Sequence, residues 1–297
     1  MKSYFIITLF LSFIMLFLPF LSLSDNFTYV PQSEKITVAD ETGNIKDKTE
    51  LSDYLVGVVA AEMPASFHEE ALKAQAVAAY SYYKYQKENG AEAIIGSSAV
   101  HQGYKTKEEM KEFWGDKYDF YLQKIEDAVG AVSGEYLVAE GKTVPALYHA
   151  LSSGVTESAE SVFGKEVPSL KGVTSPGDRL SPDYITEKAF TKEEICSLTE
   201  FESDNETIEI TQSTDSKFVK KILVFGKEYS GTELRTALKL NSPYFTVKKQ
   251  KEKYIFTVYG KGHGVGMSQY SADYMARQGS SYEEILMHFY SECSIAK

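Results

Sequence analysis

Cysteine is nearly absent from this chain, which carries Cys196 and Cys293 as its two thiols in 297 residues. They are far apart in sequence and do not show the close Cys or His spacing of a structural zinc site. A disulfide between them is possible outside the cytoplasm, but a sequence cannot place their Cα atoms within bridging distance. The sequence alone leaves their pairing open.

Basic residues are scarce relative to acids: 31 Lys and Arg oppose 42 Asp and Glu, which gives a formal net charge of −11. Because nucleic-acid binding is dominated by neutralisation of phosphates, this balance argues against a nucleic-acid partner. Tryptophan occurs once, whereas there are 21 Tyr and 17 Phe. Aromatic side chains in that number fit a large core, and some of them could instead supply surfaces that stack on sugars.

Several catalytic motifs are missing as well. The triplet HEE at 68–70 lacks the second histidine of H-E-x-x-H, which excludes a zinc-peptidase interpretation. The glycine-rich segment at 261–270 does not have the spacing of a phosphate-binding loop. A serine hydrolase with Ser152 or Ser153 as nucleophile, and His149 or His263 as base, is a weak hypothesis because there is no G-x-S-x-G elbow.

The N-terminus, in contrast, has a long hydrophobic run from Tyr4 to Leu23. It has about the 20 residues that a helix needs to cross a bilayer. A cleaved signal peptide is the competing interpretation, but Pro19 and the LSLSDNF that follows Phe20 offer no good cleavage site. We therefore predict a single transmembrane anchor at 1–24, with the rest of the chain on the extracytoplasmic side of the cell membrane.

The remainder predicts an α+β fold, because helical and strand patterns are mixed without regular βαβ alternation. We expect a linker and first strand at 25–46 and one domain at 47–297. Its helices are predicted at 107–114, 124–129, 181–204, 231–240 and 271–290, with a break at Gly279. Its strands are predicted at 134–138, 143–150, 207–212, 217–225 and 254–259, the first two as a hairpin.

A pair of helices at 51–87 contains the most informative carboxylate. Tyr54, Leu55, Val58 and Val59 form an apolar stripe at helical spacing, and Glu62 continues that stripe at the helix end. Pro64 ends the first helix, and Ser66 with a glutamate three positions later predicts a capping box for the second. A carboxyl group on an apolar face should have a raised pKa, which suits a general acid near neutral pH. The competing interpretation is a solvated or lysine-paired glutamate.

Two further segments combine histidine with small or hydroxyl residues. One is HALSSG at 149–154, where a predicted strand ends beside two serines. The other is KGHGVGMSQY at 261–270, whose glycines allow another chain segment or a ligand to approach the backbone closely. A buried structural role for His263 remains open beside a functional one.

Taken together, these segments resemble the stage II sporulation protein D family of cell-wall lytic transglycosylases. The resemblance rests on four motifs that follow one another in the family's order from about residue 51 to 290. They are LVGVVAAEMPASFHEEALKAQAVAA, YHALSSGVTESAESVFG, GTELR and KGHGVGMSQYSADYMARQGSSYEEILMHFY. The N-terminal anchor is similar to that of the sporulation member.

The resemblance implies an enzyme that cleaves the β-1,4 bond between N-acetylmuramic acid and N-acetylglucosamine of peptidoglycan without water, on strands stripped of stem peptides. It implies action during engulfment of the forespore, together with a cell-wall amidase and a membrane scaffold. Glu62 is then the catalytic acid and base. The positions that match the family's motifs and would contact or support the substrate are Lys73, Gln75, Tyr82, His149, Ser152, Ser153, His263, Ser268 and Gln269.

The sequence departs from the family at Tyr80, where the family's second helix usually carries an arginine. Zinc is associated with some members, but this sequence has no His and Cys cluster to hold it, so we expect no metal and no other cofactor. The alternative to an enzyme is a membrane-tethered glycan-binding scaffold for other cell-wall hydrolases. Glu62 favours the enzyme, and Tyr80 favours the scaffold slightly.

Overall fold

The computed structural model describes residues 35–39, 44–90, 94–95 and 102–297. Helices and small sheets are mixed in it, which confirms the α+β prediction. The predicted anchor at 1–24 lies outside these residues, as does most of the predicted linker at 25–46. Within the described ranges, none of the helices combines the length and the apolar character that crossing a bilayer would require.

The helices carry most of the larger hydrophobic core. They are α1 (Leu51–Glu62), α2 (Glu69–Glu88), α3 (Lys107–Trp114), α4 (Tyr118–Ala131), α5 (Ala159–Phe163), α6 (Lys192–Thr199), α7 (Gly231–Ala237), α8 (Gln269–Arg277) and α9 (Tyr282–Phe289). α2 is central, since α1, α4, α8 and α9 all pack against it. Its buried alanines, together with Leu72 and Val77, let these neighbours approach closely. The core therefore forms around the helix that follows Glu62.

α1 is buried on nearly all sides, not only along the predicted stripe. Its residues from Tyr54 to Ala60 are all buried, because α2, α4 and the chain segment at 102–106 surround the helix. Gly57 makes this possible: a Cβ there would lie 2.4 Å from Cε2 of Tyr104. Burying a Val or Leu side chain is worth about 1.5–3 kcal/mol, so the packing of α1 holds Glu62 firmly in place.

The start of α2 differs from the prediction. His68, and not Ser66, is the N-cap residue, and its Nδ1 accepts a hydrogen bond from the backbone N–H of Glu70 at 3.3 Å. The predicted capping box at Ser66 is therefore wrong. Oδ1 of Asp273 accepts a hydrogen bond from the backbone N–H of His68 at 2.6 Å. That contact from a distant helix fixes the cap two residues later than local sequence suggests.

Within the described residues, the strands form five small sheets. They are β1 (Lys35–Ala39), β2 (Ile45–Glu50), β3 (Ile94–Ile95), β4 (Tyr136–Ala139), β5 (Lys142–Thr143), β6 (Tyr148–His149), β7 (Ile185–Thr191), β8 (Ile208–Ser213), β9 (Val219–Val224), β10 (Lys227–Tyr229), β11 (Phe245–Gln250), β12 (Lys253–Tyr259), β13 (Met267–Ser268) and β14 (Ser294–Ala296). The strand orders among these are β2-β1-β3, β14-β4-β5, β13-β6, β10-β9-β8 and β11-β12-β7.

A second, smaller core lies between the last two of these sheets and the helices α6 and α7. It contains Ile222, Phe245 and Phe256, with Cys196 at 5% exposure. Cys293 packs instead against the larger core, and both cysteines are free thiols. The question that the sequence left open is thus answered: the two cysteines do not pair.

Two predicted elements are corrected. The second hairpin strand, predicted at 143–150, stops at Thr143, because Pro145 interrupts it and has no N–H to donate. The chain then forms β6, which pairs in parallel with β13. The segment at 181–204, predicted as helical, contains the strand β7 before the helix α6; β7 pairs with β12 throughout its length. The predicted helices at 107–114 and 271–290, with the break at Gly279, are confirmed.

Candidate active site

Glu62 lies at the end of α1 and lines a cleft of about 640 Å³. Met63, in extended conformation before Pro64, ends the helix there. The turn that follows Met63 is held by a lysine of α4. Nζ of Lys124 donates to the backbone O of Ala65 at 3.0 Å and to that of Phe67. The sequence thus predicts the helix end correctly, and tertiary contacts fix the direction in which the chain leaves it.

The Glu62 carboxyl group has one defined hydrogen bond. Its Oε1 accepts from the backbone N–H of Gly103. Its Oε2 makes no hydrogen bond within the part of the chain that the structure describes. A donor on Oε1 favours the proton on Oε2. One oxygen is thereby positioned, and the other is available for proton transfer to a ligand in the cleft.

Burial raises the pKa of Glu62 above its usual value, while the Gly103 N–H and the charge of Lys105 oppose this and lower it. The position at a helix C-terminus adds to the rise, because the partial negative charge there disfavours a carboxylate. The pKa of Glu62 is therefore shifted in the direction that the sequence predicts for a carboxyl group on an apolar face. Such a group retains its proton closer to neutral pH than an exposed glutamate does.

The segment at 102–105 is part of the site, although none of the predicted site residues lies in it. The backbone N–H of Lys105 donates to the O of Gly57 at 3.1 Å. The side chain of Gln102 donates to the backbone O of Ala79 at 3.2 Å and accepts from the hydroxyl of Tyr148 at 2.8 Å. These contacts pin the segment to α1, α2 and β6, and so place the Gly103 N–H against Glu62.

The space around position 103 admits only a glycine. A Cβ at this position would lie 2.9 Å from Oε1 of Glu62 and 3.3 Å from Cβ of Ala61. The signal for this residue in the sequence is weak, since a lone glycine in a loop has many explanations. The long-range contact with Glu62 is what identifies it.

The cleft is bordered by several chain segments. Those near Glu62 include the turn from Met63 to Phe67, while Phe113, Trp114 and Tyr121 come from α3 and α4. The β6 and β13 region contributes Ala150, Leu151, Lys261, Gln269 and Tyr270, and the loop before β7 contributes Ser181, Pro182 and Asp183. The three motifs that contain the predicted site residues therefore all reach this cleft.

Among the other predicted site residues, Gln269 lines the cleft and the rest are not part of the described lining. Nε2 of Gln269 donates to Oε1 of Gln75 at 3.1 Å, and Gln75 is fully buried. Lys73 forms ion pairs with Glu69 at 2.6 Å and Glu70 at 2.9 Å. Gln75 can thus orient Gln269, whereas Lys73 is paired on its own helix.

Tyr82 is half-buried, and its hydroxyl accepts from Nε2 of Gln86 at 2.7 Å. Tyr80 takes part in an aromatic cluster: its ring stacks on that of Tyr83 and lies edge-on to that of Tyr136. Nζ of Lys84, one turn further along α2, lies 4.2 Å from the Tyr136 ring centroid. A cation is therefore present near the position of the family's arginine, although it comes from another residue.

The serines of the two loop motifs join a buried network around Asp178. Oδ2 of Asp178 accepts from the backbone N–H of Ser152 at 2.6 Å, and Oδ1 accepts from Oγ of Ser268 at 2.6 Å. Ser175 and Ser271 also donate to this carboxylate. Asp178 is fully buried. Sequence reasoning missed it because nothing in its local sequence marks it.

His149 and His263 lie side by side, with ring centroids 5.7 Å apart. Burial lowers the pKa of His149 to about 4, and burial together with the neighbouring His149 lowers that of His263 to about 3. Both are therefore neutral at pH 7. Oγ of Ser152 accepts from Gly154 and Oγ of Ser153 donates to the O of Ser216. No Ser–His hydrogen bond occurs in the described residues, so the arrangement does not support a serine hydrolase.

The donor set also does not fit a zinc ion. In the residues that are described, no three His, Cys, Asp or Glu side chains come together as a metal site. Cys196 lies in the smaller core, and Sγ of Cys293 donates to the O of Ser291 at 3.2 Å. Burial raises the pKa of Cys293 to about 11, which disfavours the thiolate that zinc requires.

The comparisons with known proteins agree on one family. Residues 39–138 match the model of the SpoIID family, described as Stage II sporulation protein. The chain is 36% identical to the Stage II sporulation protein D of Bacillus subtilis (strain 168) over 255 residues, 83% of this chain and 74% of that protein. The Bacillus amyloliquefaciens protein of the same name gives the same values. The Amidase enhancer of B. subtilis is 28% identical over 80% of this chain and 39% of its own length.

Proposed function

Because the chain belongs to the stage II sporulation protein D family, we propose that it is a peptidoglycan lytic transglycosylase of sporulation with Glu62 as its general acid and base. The observation that carries the proposal is the placement of Glu62 in the cleft, with Oε1 held by the Gly103 N–H and Oε2 unpaired within the described residues. A protonated carboxyl group held in this way can donate to a glycosidic oxygen.

One carboxyl group is sufficient for this reaction. Glu62 donates its proton to the oxygen that links the anomeric carbon of N-acetylmuramic acid to O4 of N-acetylglucosamine, and that bond breaks. The C6 hydroxyl of the muramic acid residue bonds to the anomeric carbon and gives its proton to the Glu62 carboxylate. The product has a 1,6-anhydro end, and Glu62 is protonated again. The intramolecular nucleophile replaces the second carboxylate of ordinary glycosidases.

The setting of the proposed reaction follows from the family. The chain would act on glycan strands stripped of stem peptides, with a cell-wall amidase and a membrane scaffold as partners during engulfment. Its apolar segment at 4–23 would anchor it in the membrane, with the cleft on the extracytoplasmic side. A relationship to an amidase enhancer supports the link to cell-wall machinery.

That relationship also favours a second candidate, a non-catalytic glycan-binding subunit that promotes the activity of an amidase. In this case the cleft would hold a glycan strand without cleaving it. Tyr80 in place of the family's arginine is consistent with this role. The two candidates differ in whether the glycan itself changes when the purified chain is added.

The test is digestion of purified, peptide-free glycan strands with the full chain in a mild detergent, followed by mass spectrometry of the ends. A lytic transglycosylase leaves 1,6-anhydro ends, which are lighter by one water than reducing ends. Products with reducing ends would identify a hydrolase instead. Binding of the strands without any new ends would favour the non-catalytic subunit.

A further inference from the structure

The cleft has an aromatic wall, which we define as the side chains of Phe113, Trp114 and Tyr121. The Trp114 and Tyr121 rings meet edge to face, with centroids 5.7 Å apart. Phe113 is 68% exposed, which is unusual for so large an apolar side chain. Trp114 and Tyr121 are partly buried and pack against the larger core, so the wall presents fixed apolar ring faces of the kind on which sugar rings stack.

Two lysines lie against this wall. Nζ of Lys105 is 5.0 Å from the centroid of Phe113, and Nζ of Lys117 is 5.9 Å from that of Tyr121. Both lysines line the cleft. Neither amine has a carboxylate within 4 Å among the residues described, although acids outnumber bases in the chain by 42 to 31. Neither amine therefore forms an ion pair with the described residues, although the charge of Lys105 also acts on Glu62 and Glu109.

We propose that the aromatic wall, with Lys105 and Lys117, is a subsite for an acidic sugar of the glycan. A neutral sugar could bind by stacking on the rings alone. The two amines, which form no ion pair with the described residues, can in addition donate charge-assisted hydrogen bonds to a carboxylate on the sugar. The identity of the polymer rests on the proposed function. In peptidoglycan, the muramic acid residue carries such a carboxylate when no peptide is attached, and an attached peptide converts it into an uncharged amide. The subsite would thus give the preference for stripped strands, which is already part of the proposed function, a physical basis in the free carboxylate.

The cleft also contains two acids, Glu62 and Asp183. Glu62 is on α1 and Asp183 in the loop before β7, whereas the aromatic wall and its lysines belong to the continuous segment at 105–121. Lys261 also lines the cleft, so two of the three lysines in the described lining lie on this one segment, apart from both acids. This is the arrangement that would orient a strand carrying an acidic group on every second sugar.

Trp114 provides a direct readout, because it is the only tryptophan of the chain. The experiment titrates the full chain, as the Glu62→Gln variant to prevent cleavage, and follows Trp114 fluorescence. The probes are peptide-free glycan strands, the same strands with their carboxyl groups reduced to alcohols, and N-acetylglucosamine oligomers of matched length. We expect the carboxylate strands to change the fluorescence and to bind roughly five- to tenfold more tightly than either neutral probe, since partly exposed ion pairs are modest.

Matched variants separate the two elements of the subsite. Lys105→Gln with Lys117→Gln should remove the preference for the carboxylate, whereas Lys111→Gln, on the exposed side of α3, should preserve it. Phe113→Ala should weaken binding of all three probes by about tenfold, in line with the worth of a well-placed aromatic contact. Leu198→Ala is the control, because Leu198 is 41% exposed and is not part of the lining.

Equal affinity for charged and reduced strands would overturn the subsite, as would an unchanged preference in the double lysine variant. If Phe113→Ala altered the sedimentation of the protein and not glycan binding, the wall would instead be a contact between copies of the chain. These results are independent of catalysis. Turnover by the Glu62→Gln variant would contradict the proposed acid and leave the subsite standing.

Discussion

Glu62 and Glu157 are both partly or fully buried carboxyl groups, but they lie in different surroundings. Burial raises the pKa of each. Oε1 of Glu157 accepts hydrogen bonds from the hydroxyls of Thr214, at 2.7 Å, and Ser216. Glu62 accepts one hydrogen bond, from a backbone N–H, and it faces the cleft. A raised pKa therefore does not by itself distinguish a catalytic group from a structural one.

The two carboxyl groups differ in their access to the cleft. Glu157 is 5% exposed and is not part of the described cleft lining, whereas Glu62 is at the cleft surface. The loop motifs show the same contrast: Ser152 and Ser268 donate to the buried Asp178, whereas Leu151 and Lys261 border the cleft. Motif residues near a site can serve it by shaping the backbone rather than by touching a ligand.

The largest expected effect comes from comparing the two carboxyl groups directly. Glu62→Gln should lower the rate of anhydro-end formation by about 10² to 10⁴, because general acid–base catalysis is worth that much. Glu157→Gln should leave the rate within a few-fold of the unchanged chain. The measurement is the initial rate on peptide-free strands, with the melting temperature of each variant as the control for folding. Equal losses in both variants would contradict the distinction between them.

Asp178→Asn should be the most destabilising of these changes. The carboxylate accepts from four groups, and an amide presents its N–H₂ to at least one of those donors. We expect a loss of about 2 to 4 kcal/mol in the free energy of unfolding, as for other buried charged acceptors. Denaturant unfolding measures it, with the exposed Asp183→Asn as control. A loss no larger than that of the control would show that the network contributes little.

Gly103→Ala should displace the backbone donor from Glu62, since its Cβ would lie 2.9 Å from Oε1. The N–H of Gly103 lowers the pKa of Glu62, so its loss should raise that pKa further. A general acid is active while protonated, and the fall in rate on the alkaline side should move to higher pH, with about a tenfold loss of rate from misplacement. The pH–rate profile tests this against Gly130→Ala, where an added Cβ meets no atom within 4 Å. An unshifted alkaline limb would contradict the role of Gly103.

The smallest effect concerns stability against pH. A carboxyl group with a raised pKa in the folded state destabilises the fold as pH rises from its unfolded-state pKa through its folded-state pKa. Glu157→Gln removes that penalty. The variant should gain stability relative to the unchanged chain as the pH rises above about 4.5, and Thr214→Val, which removes a donor to the carboxylate, should increase the penalty. The measurement is the melting temperature of each variant and of the unchanged chain across this pH range. Parallel curves of melting temperature against pH would contradict the prediction.

Local sequence was sufficient for the helices with strong end signals. The helix at 107–114, the break at Gly279 and the helix end before Pro64 are all where the sequence predicts them. Prediction from local sequence failed where a distant contact overrides the local pattern. Asp273 moves the start of α2 from Ser66 to His68, and pairing with β12 makes a strand of residues with helical propensity. The short strand β13 was missed, because two residues carry no periodicity.

The sequence by itself determined the α+β class, the position of Glu62 at a helix end on an apolar face, and the order of the motifs that identify the family. Only the tertiary structure brought the Gly103 N–H to the Glu62 carboxyl group, gathered four donors around Asp178, and set the aromatic wall with its two lysines beside the cleft. The reason is physical. Periodicity and end signals act over a few residues, whereas Gly103 is 41 residues from Glu62, and Ser268 is 90 residues from Asp178. These contacts form when the packing around α1 and α2 brings those segments together.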